Sequence, residues 1–419
     1  MKRPFWIILL GLFAISGNAQ VSLPLDSAVA MAWSHLRMED QLIAIERMKE
    51  VDRAIVQNAW YPTLTLSAQS TIQNEQINFP GSVPGFEPPE IPLDFHRILL
   101  QFNQTIYDGS INTRTKRLRE LEGDRMKVEL ETQKLSIRQS VTQIYLNLLL
   151  VGDRLEITKL RKTTLEVQSE RIEGAVSQGA MIPAERSQIR AEILQTEQEI
   201  QGIHSLKKRM EYQLANLIGE ESMEGYVLIH PDLDDRPTEN MDRPEIRLFD
   251  QQITITQAQQ QITQSQNLPK LSLFGNVGGG TPGYNLFDPS FSPMLYAGIG
   301  LTWQPIHWNK VKKQREKLAL QANVLQMEKE RSTIRFENER TAKWEEYQRL
   351  SELSSSDQEI VKLRKEVTES KSAQLENGVI TTSEYLVELN KEHSARLNAS
   401  IHDLEATMAY IEYLILSGK

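Results

Sequence analysis

The sequence predicts an α+β chain, predominantly α, built from a duplicated helix-strand-strand-helix-helix unit. Three observations carry that expectation. The second half repeats the first: Ala59–Trp60–Tyr61–Pro62–Thr63–Leu64–Thr65–Leu66 recurs as Gln266–Asn267–Leu268–Pro269–Lys270–Leu271–Ser272–Leu273, Ile106 as Ile306, Gly179 as Gly378, Glu185 as Glu384, and Leu217–Ile218–Gly219 as Leu416–Ser417–Gly418. From Asn309 to Asn377 there is neither glycine nor proline, which allows one helix on the order of 100 Å long. Four short segments alternate apolar and polar residues, the period of a strand whose two faces meet different media.

The chain opens with Lys2 and Arg3, an apolar run from Phe5 to Ile15, and small residues at Gly17 and Ala19. That is the layout of an export signal over 1–19, with a mature chain from Gln20. The run is short for a spanning helix of about 20 residues, and no other segment approaches that length. A first helix is expected over Asp26–Trp60, then strands over about 62–75 and 95–107. Leu64, Leu66 and Ala68 alternate with Thr65, Ser67 and Gln69, and Leu100, Phe102 and Ile106 flank Gln101, Asn103 and Thr105. The long helix that follows runs from Gly109 to Gln178 without proline, turns at Gly179, and gives way to a returning helix with its apolar stripe at Ile189, Ile193, Ile200, Ile203, Met210, Leu214 and Leu217. This closes a first repeat over 20–218, and 219–242, with Pro231, Pro237 and many acids, reads as the connector to a second repeat over 243–419.

In the second repeat a polar, glutamine-rich helix precedes strands over about 269–278 and 294–305. Leu295, Ala297, Ile299, Leu301 and Trp303 alternate with Tyr296, Gly298, Gly300, Thr302 and Gln304. The first of these two strands is less regular, because Phe274 falls on its polar side. The loop Gly278–Gly279–Gly280–Thr281–Pro282–Gly283 lacks the lysine and following helix of a phosphate-binding loop and reads as a hairpin tip. After the glycine- and proline-free helix and the turn at Gly378, Leu397, Ile401, Leu404, Met408, Ile411 and Ile415 form the stripe of the last helix. Leu353, Ile360 and Val367 keep a heptad spacing that suits coiled-coil packing.

One apolar and one polar face is what a membrane barrel needs of its strands, and it makes Leu64, Leu66, Leu100, Phe102, Leu295, Ile299, Leu301 and Trp303 candidate lipid-facing residues. A sheet laid on the helices is the other reading, but the narrow helical stripes leave no wide apolar face to cover it. Four strands cannot close a barrel, since the smallest membrane barrels have about eight, and an open edge in lipid leaves peptide groups unpaired. Protomers must therefore pool strands: two give eight and a filled lumen, three give twelve and room for a channel.

Tyr61–Pro62–Thr63–Leu64 with Leu268–Pro269–Lys270–Leu271, Ile106–Tyr107–Asp108–Gly109 at the strand-to-helix junction, and the two glycine turns give the chain its resemblance to the TolC-like outer-membrane efflux proteins. It extends from about Asp26 to Gly418. The second junction, Ile306–His307–Trp308–Asn309, departs from the pattern by lacking the acid and the glycine. The resemblance implies a homotrimer with a 12-stranded β-barrel in the outer membrane, continued by a long periplasmic α-helical barrel. It implies docking to a periplasmic adaptor and an inner-membrane pump of the RND or ABC type, as exit duct of a tripartite efflux or type I secretion system. It further places the periplasmic tips at Gly179 and Gly378, with Glu185 and Glu384 at acid positions just beyond them. Val387 stands where a second acid would extend the ring, and Ile380 where a basic gate link would sit, so apolar packing is expected to hold the gate. Glu185 and Glu384 also suit ordinary first-turn acids favoured by the helix dipole, and both readings stand.

Composition narrows the function classes. There is no cysteine and the formal net charge is −9, which rules out disulfides and thiolate chemistry and argues against nucleic acid as a partner. The hydrophobic content of 40% and mean hydropathy of −0.42 suit long solvated helices. His35, His96, His204, His230, His307, His393 and His402 show no metal-ligand spacing, no nucleophile motif is present, and no cofactor or catalytic role is expected. The competing class is a soluble periplasmic coiled-coil adaptor or scaffold, which would need a compact β-domain interrupted by one helical hairpin in place of two hairpins alternating with four strands.

Overall fold

The computed structural model describes residues 21–75, 85, 91–233, 241–285 and 288–418; the expected export signal and most of the first strand-strand loop lie outside them. The elements in order are β1 (Val21–Leu23), α1 (Leu25–His35), α2 (Met38–Asn58), β2 (Thr63–Ile72), β3 (Asp94–Tyr107), α3 (Ile111–Ser177), α4 (Pro183–Ile218), β4 (Tyr226–Leu228), α5 (Pro244–Ser265), β5 (Lys270–Thr281), β6 (Ser292–Thr302), α6 (Lys310–Glu376) and α7 (Thr382–Leu416). The chain divides into two units, and α3 and α6, each 67 residues long, contribute to both.

One unit comprises 21–39, 133–243 and 335–418 of the described residues. Its largest core gathers Ala28, Val29 and Ala32 of α1, Val141, Tyr145 and Leu146 of α3, Leu214 and Ile218 of α4, and Leu404, Ile411 and Ile415 of α7. The stripes read from the sequence on α4 and α7 are therefore the faces that bury. Tyr145 is fully buried, and its hydroxyl bonds the backbone of Leu23 and Ile229, each at 2.7 Å. It thereby fixes a parallel ribbon of β1 and β4, which no sequence periodicity announced because each strand is only three residues long. A second cluster of Trp344, Tyr347, Tyr410 and Tyr413 joins α6 to α7.

The helix expected over Asp26–Trp60 is interrupted. Leu36 closes α1 with backbone bonds to Ala32 and Ser34, and Arg37 adopts φ 56° before α2 begins. Buried packing of α1 and the tie from the Trp33 ring nitrogen to the Lys134 carbonyl, 3.1 Å, fix where α1 must end. A non-glycine residue in the left-handed region costs roughly 1–2 kcal/mol, an amount that such packing offsets.

The other unit comprises 40–132 and 244–334. Its sheet runs β2-β3-β5-β6, antiparallel throughout, with Leu66 opposite Leu100 and Leu273 opposite Ile299. Its helices neighbour one another in the matching order. Lys49 of α2 pairs with Asp124 of α3 at 2.6 Å, Leu121 of α3 packs with Ile255 and Ala258 of α5, and Lys329 of α6 pairs with Asp250 of α5 at 2.6 Å.

Candidate functional site

Two places carry the sequence-predicted residues, one in each unit. In the sheet, register assigns the faces. Leu64, Leu66, Ala68, Leu100, Phe102, Leu273, Val277, Leu295, Ala297, Ile299 and Leu301 lie on one face, and Thr63, Thr65, Ser67, Gln101, Asn103, Ser272, Asn276 and Tyr296 on the other. Leu64, Leu66, Leu295, Ile299 and Leu301 are each about two thirds exposed or more. Leu100 and Trp303 are exposed as well, and Phe102 is half-buried. Gln104 and, at the loop end, Ser70, Asp94 and His96 share this face, but bare aliphatic side chains over most of it are costly in water and favourable in lipid. Among the described residues no helix is long and apolar enough to cross a membrane.

At the strand-to-helix junctions the two repeats share a backbone shape that their sequences hide. Gly109 and Ser110 adopt φ 75° and 67°, and Trp308 and Asn309 adopt φ 44° and 61°. A side chain at Gly109 would meet Leu268 Cβ at 2.9 Å, whereas Trp308 stands 92% exposed. Crowding selects glycine in the first copy and open space releases the second. Asp108 accepts from the Asn112 N–H at 2.6 Å, capping α3; the second copy has no acid there.

The tips of the helical hairpins lie in the other unit. Gly179 (φ 75°) donates to the Val176 carbonyl at 3.0 Å while Ala180 N–H reaches Ala175 at 2.8 Å. Gly378 (φ 68°) donates to Leu375 at 3.0 Å while Val379 N–H reaches Gln374 at 2.9 Å. Both helices thus end in the same Schellman turn, for which glycine is needed. The returning helices start differently. α4 begins with Pro183 and has no side-chain cap, while Thr381 and Glu384 form a capping box on α7.

Glu185 and Glu384 are brought to one helix end. Glu384 accepts from Thr381 N–H at 2.9 Å, and Glu185, half-buried, reaches from α4 to accept the Thr382 N–H at 2.8 Å. Both acids thus act as helix-terminal acceptors, Glu384 on its own helix and Glu185 on the neighbouring hairpin. The Thr381 backbone bond, with that of its hydroxyl, holds the Glu384 carboxyl below its ordinary range. Ile380 packs with Val176, Met181 and Ile193 against Leu165, Ile172, Ile189, Leu375, Tyr385, Leu386 and Leu389, an apolar cluster drawn from both hairpins. Val387 remains 49% exposed outside it.

Charged links that sequence reasoning missed surround this cluster. Arg171 pairs with Glu376, Arg186 with Glu173 at 3.1 Å, and Arg364 with Glu388 at 3.5 Å, while the Arg161 guanidinium bonds both Glu192 and Asn390. No sequence spacing flags them, because each joins two different helices. Beside them His393 is buried, and desolvation, then the Arg161 charge, push its pKa down to about 4. Burial raises the Tyr385 phenol to about 12. Among the described residues no cluster of histidine and acids could hold a metal ion.

Residues 46–220 match the family model described as outer membrane efflux protein. No curated protein sequence matches the chain. Among solved structures, the outer membrane protein VceC of Vibrio cholerae superposes with a TM-score of 0.72 at 16% identity, over 93% of this chain and 95% of that one. The CmeC outer membrane channel of Campylobacter jejuni gives 0.70 at 15%, over 94% and 85%. The MtrE outer membrane channel of Neisseria gonorrhoeae, in its open state, gives 0.69 at 15%, over 94% and 88%. These likenesses are of fold. Residues 46–220 thus resemble the outer membrane efflux proteins in sequence, and nearly the whole chain resembles outer membrane channels in fold.

Proposed function

We infer that the protein is the outer-membrane duct of a trans-envelope export machine. Three chains pool their strands into a twelve-stranded barrel, and the long helices continue it into the periplasm of a Gram-negative cell. The observation that carries this reading is the pair of open edges. Among the described residues β2 and β6 have no outer neighbour, the sheet's apolar face is bare, and the helices α2-α3-α5-α6 follow the same order as the strands β2-β3-β5-β6. Joining β6 of one copy to β2 of the next satisfies both edges and brings α6 beside α2 in the same step, a head-to-tail contact that closes into a ring. Twelve strands leave a lumen, whereas eight would be filled by side chains.

The duct performs no chemistry of its own. Its task is to offer a polar, continuous path and to keep it shut when unused. The apolar cluster around Ile380 and Tyr385, with the Arg171–Glu376 link, holds the two hairpin tips together. Opening must separate them, and a periplasmic adaptor coupled to an inner-membrane pump supplies the work. The cargo is small molecules or proteins, according to the pump.

Fractionation followed by native mass spectrometry of detergent extracts tests the reading. A heat-modifiable trimer in the outer membrane is expected. A monodisperse monomer, or a protein released with the soluble periplasm, overturns it.

A further inference from the structure

On the polar face of the sheet three aromatic rings meet where the sequence made room for them. Phe274 lies against the backbone of β6 at two glycines: a side chain at Gly298 would stand 3.0 Å from its Cζ, and one at Gly300 3.5 Å from its Cδ1. Tyr296 meets Phe274 edge-on, with centroids 6.1 Å apart and planes at 72°. Tyr284, beyond the end of β5, meets Tyr296 in the same manner at 5.8 Å and 69°. Asn276 donates to the Tyr296 hydroxyl and orients that ring. Tyr284 and Tyr296 are 53% and 43% exposed. Each edge-to-face contact covers one face of one ring only, and the exposure of Tyr284 and Tyr296 leaves π surface free, so this arrangement is a stacking platform more than a filled core.

The charges on that face are of one sign. Within the strands, its described residues include Lys270, opposite Thr302 near the helical end, and Arg97, opposite Gly280 near the loop end. They include no carboxylate. Along the strand direction the aromatics sit between the two cations: Lys270 is four residues or ~13 Å from Phe274 on the same strand, and Arg97, on β3, is four residues along from the level of Tyr296 and two strands across.

We propose that this face is a binding collar for planar aromatic anions, such as aromatic carboxylates and sulfonates, inside the barrel of the duct. It rests on the barrel reading above and assigns a cargo preference to it. The rings take the flat face of the solute, and the flanking Arg97 and Lys270 attract its charge from either end. Three copies repeat the collar around the lumen, so a solute leaving the channel meets several equivalent platforms in exchange. Gly298 is specificity-determining through what it omits, because a side chain there would press on Phe274 at 3.0 Å, whereas Gly300 leaves room for ordinary contact.

Saturation-transfer NMR on the full chain in lipid nanodiscs tests the collar, with 2-naphthoate as probe and cyclohexanecarboxylate as the equally charged, non-aromatic control. Native mass spectrometry of the same sample reports its oligomeric state. The expected result is binding of 2-naphthoate about tenfold stronger than the control, a preference lost in the double variant Tyr284→Ala/Tyr296→Leu and weakened in Arg97→Gln. Tyr284 lies outside the ladder, so Tyr284→Ala alone is a fold-neutral check and should lose part of the preference. Equal binding of the two acids by a trimeric wild type, or an unchanged preference in the variants, overturns the collar and leaves the duct intact. A monomer that still prefers naphthoate keeps the site and removes the barrel.

Discussion

His393 shows how one buried side chain can set a condition on the whole tip. It is buried beside Arg161 and Arg154 with Glu199 as the compensating acid, and Lys365, Glu369, Glu392 and Arg396 line the same cavity. Its folded pKa of about 4 lies below the ordinary 6.5, so the unfolded chain takes up a proton first. Stability is therefore level above about 6.5 and falls as the pH drops toward 4, by about 3 kcal/mol over the full shift. Thermal unfolding of the extracted protein against pH should show this loss, and His393→Gln should flatten it in that window. An identical pH dependence in the variant would contradict the burial argument. Glu384 adds a loss of the same direction at lower pH, since its depressed carboxyl stabilises only while ionised. The variant-minus-wild-type difference separates the two.

At the scale of the element, the strand-to-helix junctions are the most informative. The sequence sets Asp108–Gly109 against Trp308–Asn309, an apparent loss of the turn, yet both junctions place two successive residues at positive φ, Gly109–Ser110 and Trp308–Asn309, one residue out of that alignment. The difference lies in the neighbours. Gly109→Ala would press Leu268 Cβ and the Ser265 carbonyl at 2.9 and 3.1 Å, so a destabilisation of about 2 kcal/mol is expected from strain and crowding together. Trp308→Gly, at a site open to the surroundings, should be neutral or stabilising by about 1 kcal/mol, because it relieves a left-handed tryptophan. Denaturation midpoints of the two variants check this; equal losses would mean that the junctions are not the same turn. The interruption at Arg37 and the β1–β4 ribbon were not legible in the sequence. Arg37 has no glycine, proline or repeating pattern around it, and Gly225 and Pro24 beside the ribbon mark boundaries without announcing a pairing; both features are consequences of what α1 and Tyr145 pack against.

At the scale of the whole molecule, the two sheet faces make opposite demands. On the barrel reading, Ile299→Arg places a charge on the lipid side and should cost about 2–4 kcal/mol near the bilayer midplane. Thr65→Arg, on the opposite face, should be tolerated. The yield of heat-modifiable trimer in the outer membrane distinguishes them, and equal yields would show that the apolar face does not meet lipid. Phe274, which broke the alternation of its strand, is the residue where pattern alone was insufficient. Its place on the polar face follows from Gly298 and Gly300 on the neighbouring strand, a relation that exists only once register is fixed.

The periods were readable along the chain: helical stripes on α4 and α7, alternation in the strands, and glycine where a helix must turn back. These are local, since each depends on residues a few positions apart along one element. The tertiary structure alone decided which groups meet across elements. It brought Glu185 to the first turn of another hairpin's helix, set Arg171 against Glu376, placed His393 of α7 beside charges from α3 and α4, and gathered Phe274, Tyr284 and Tyr296. Such contacts join residues distant in the chain through distances of a few ångströms, and no spacing in the sequence encodes them.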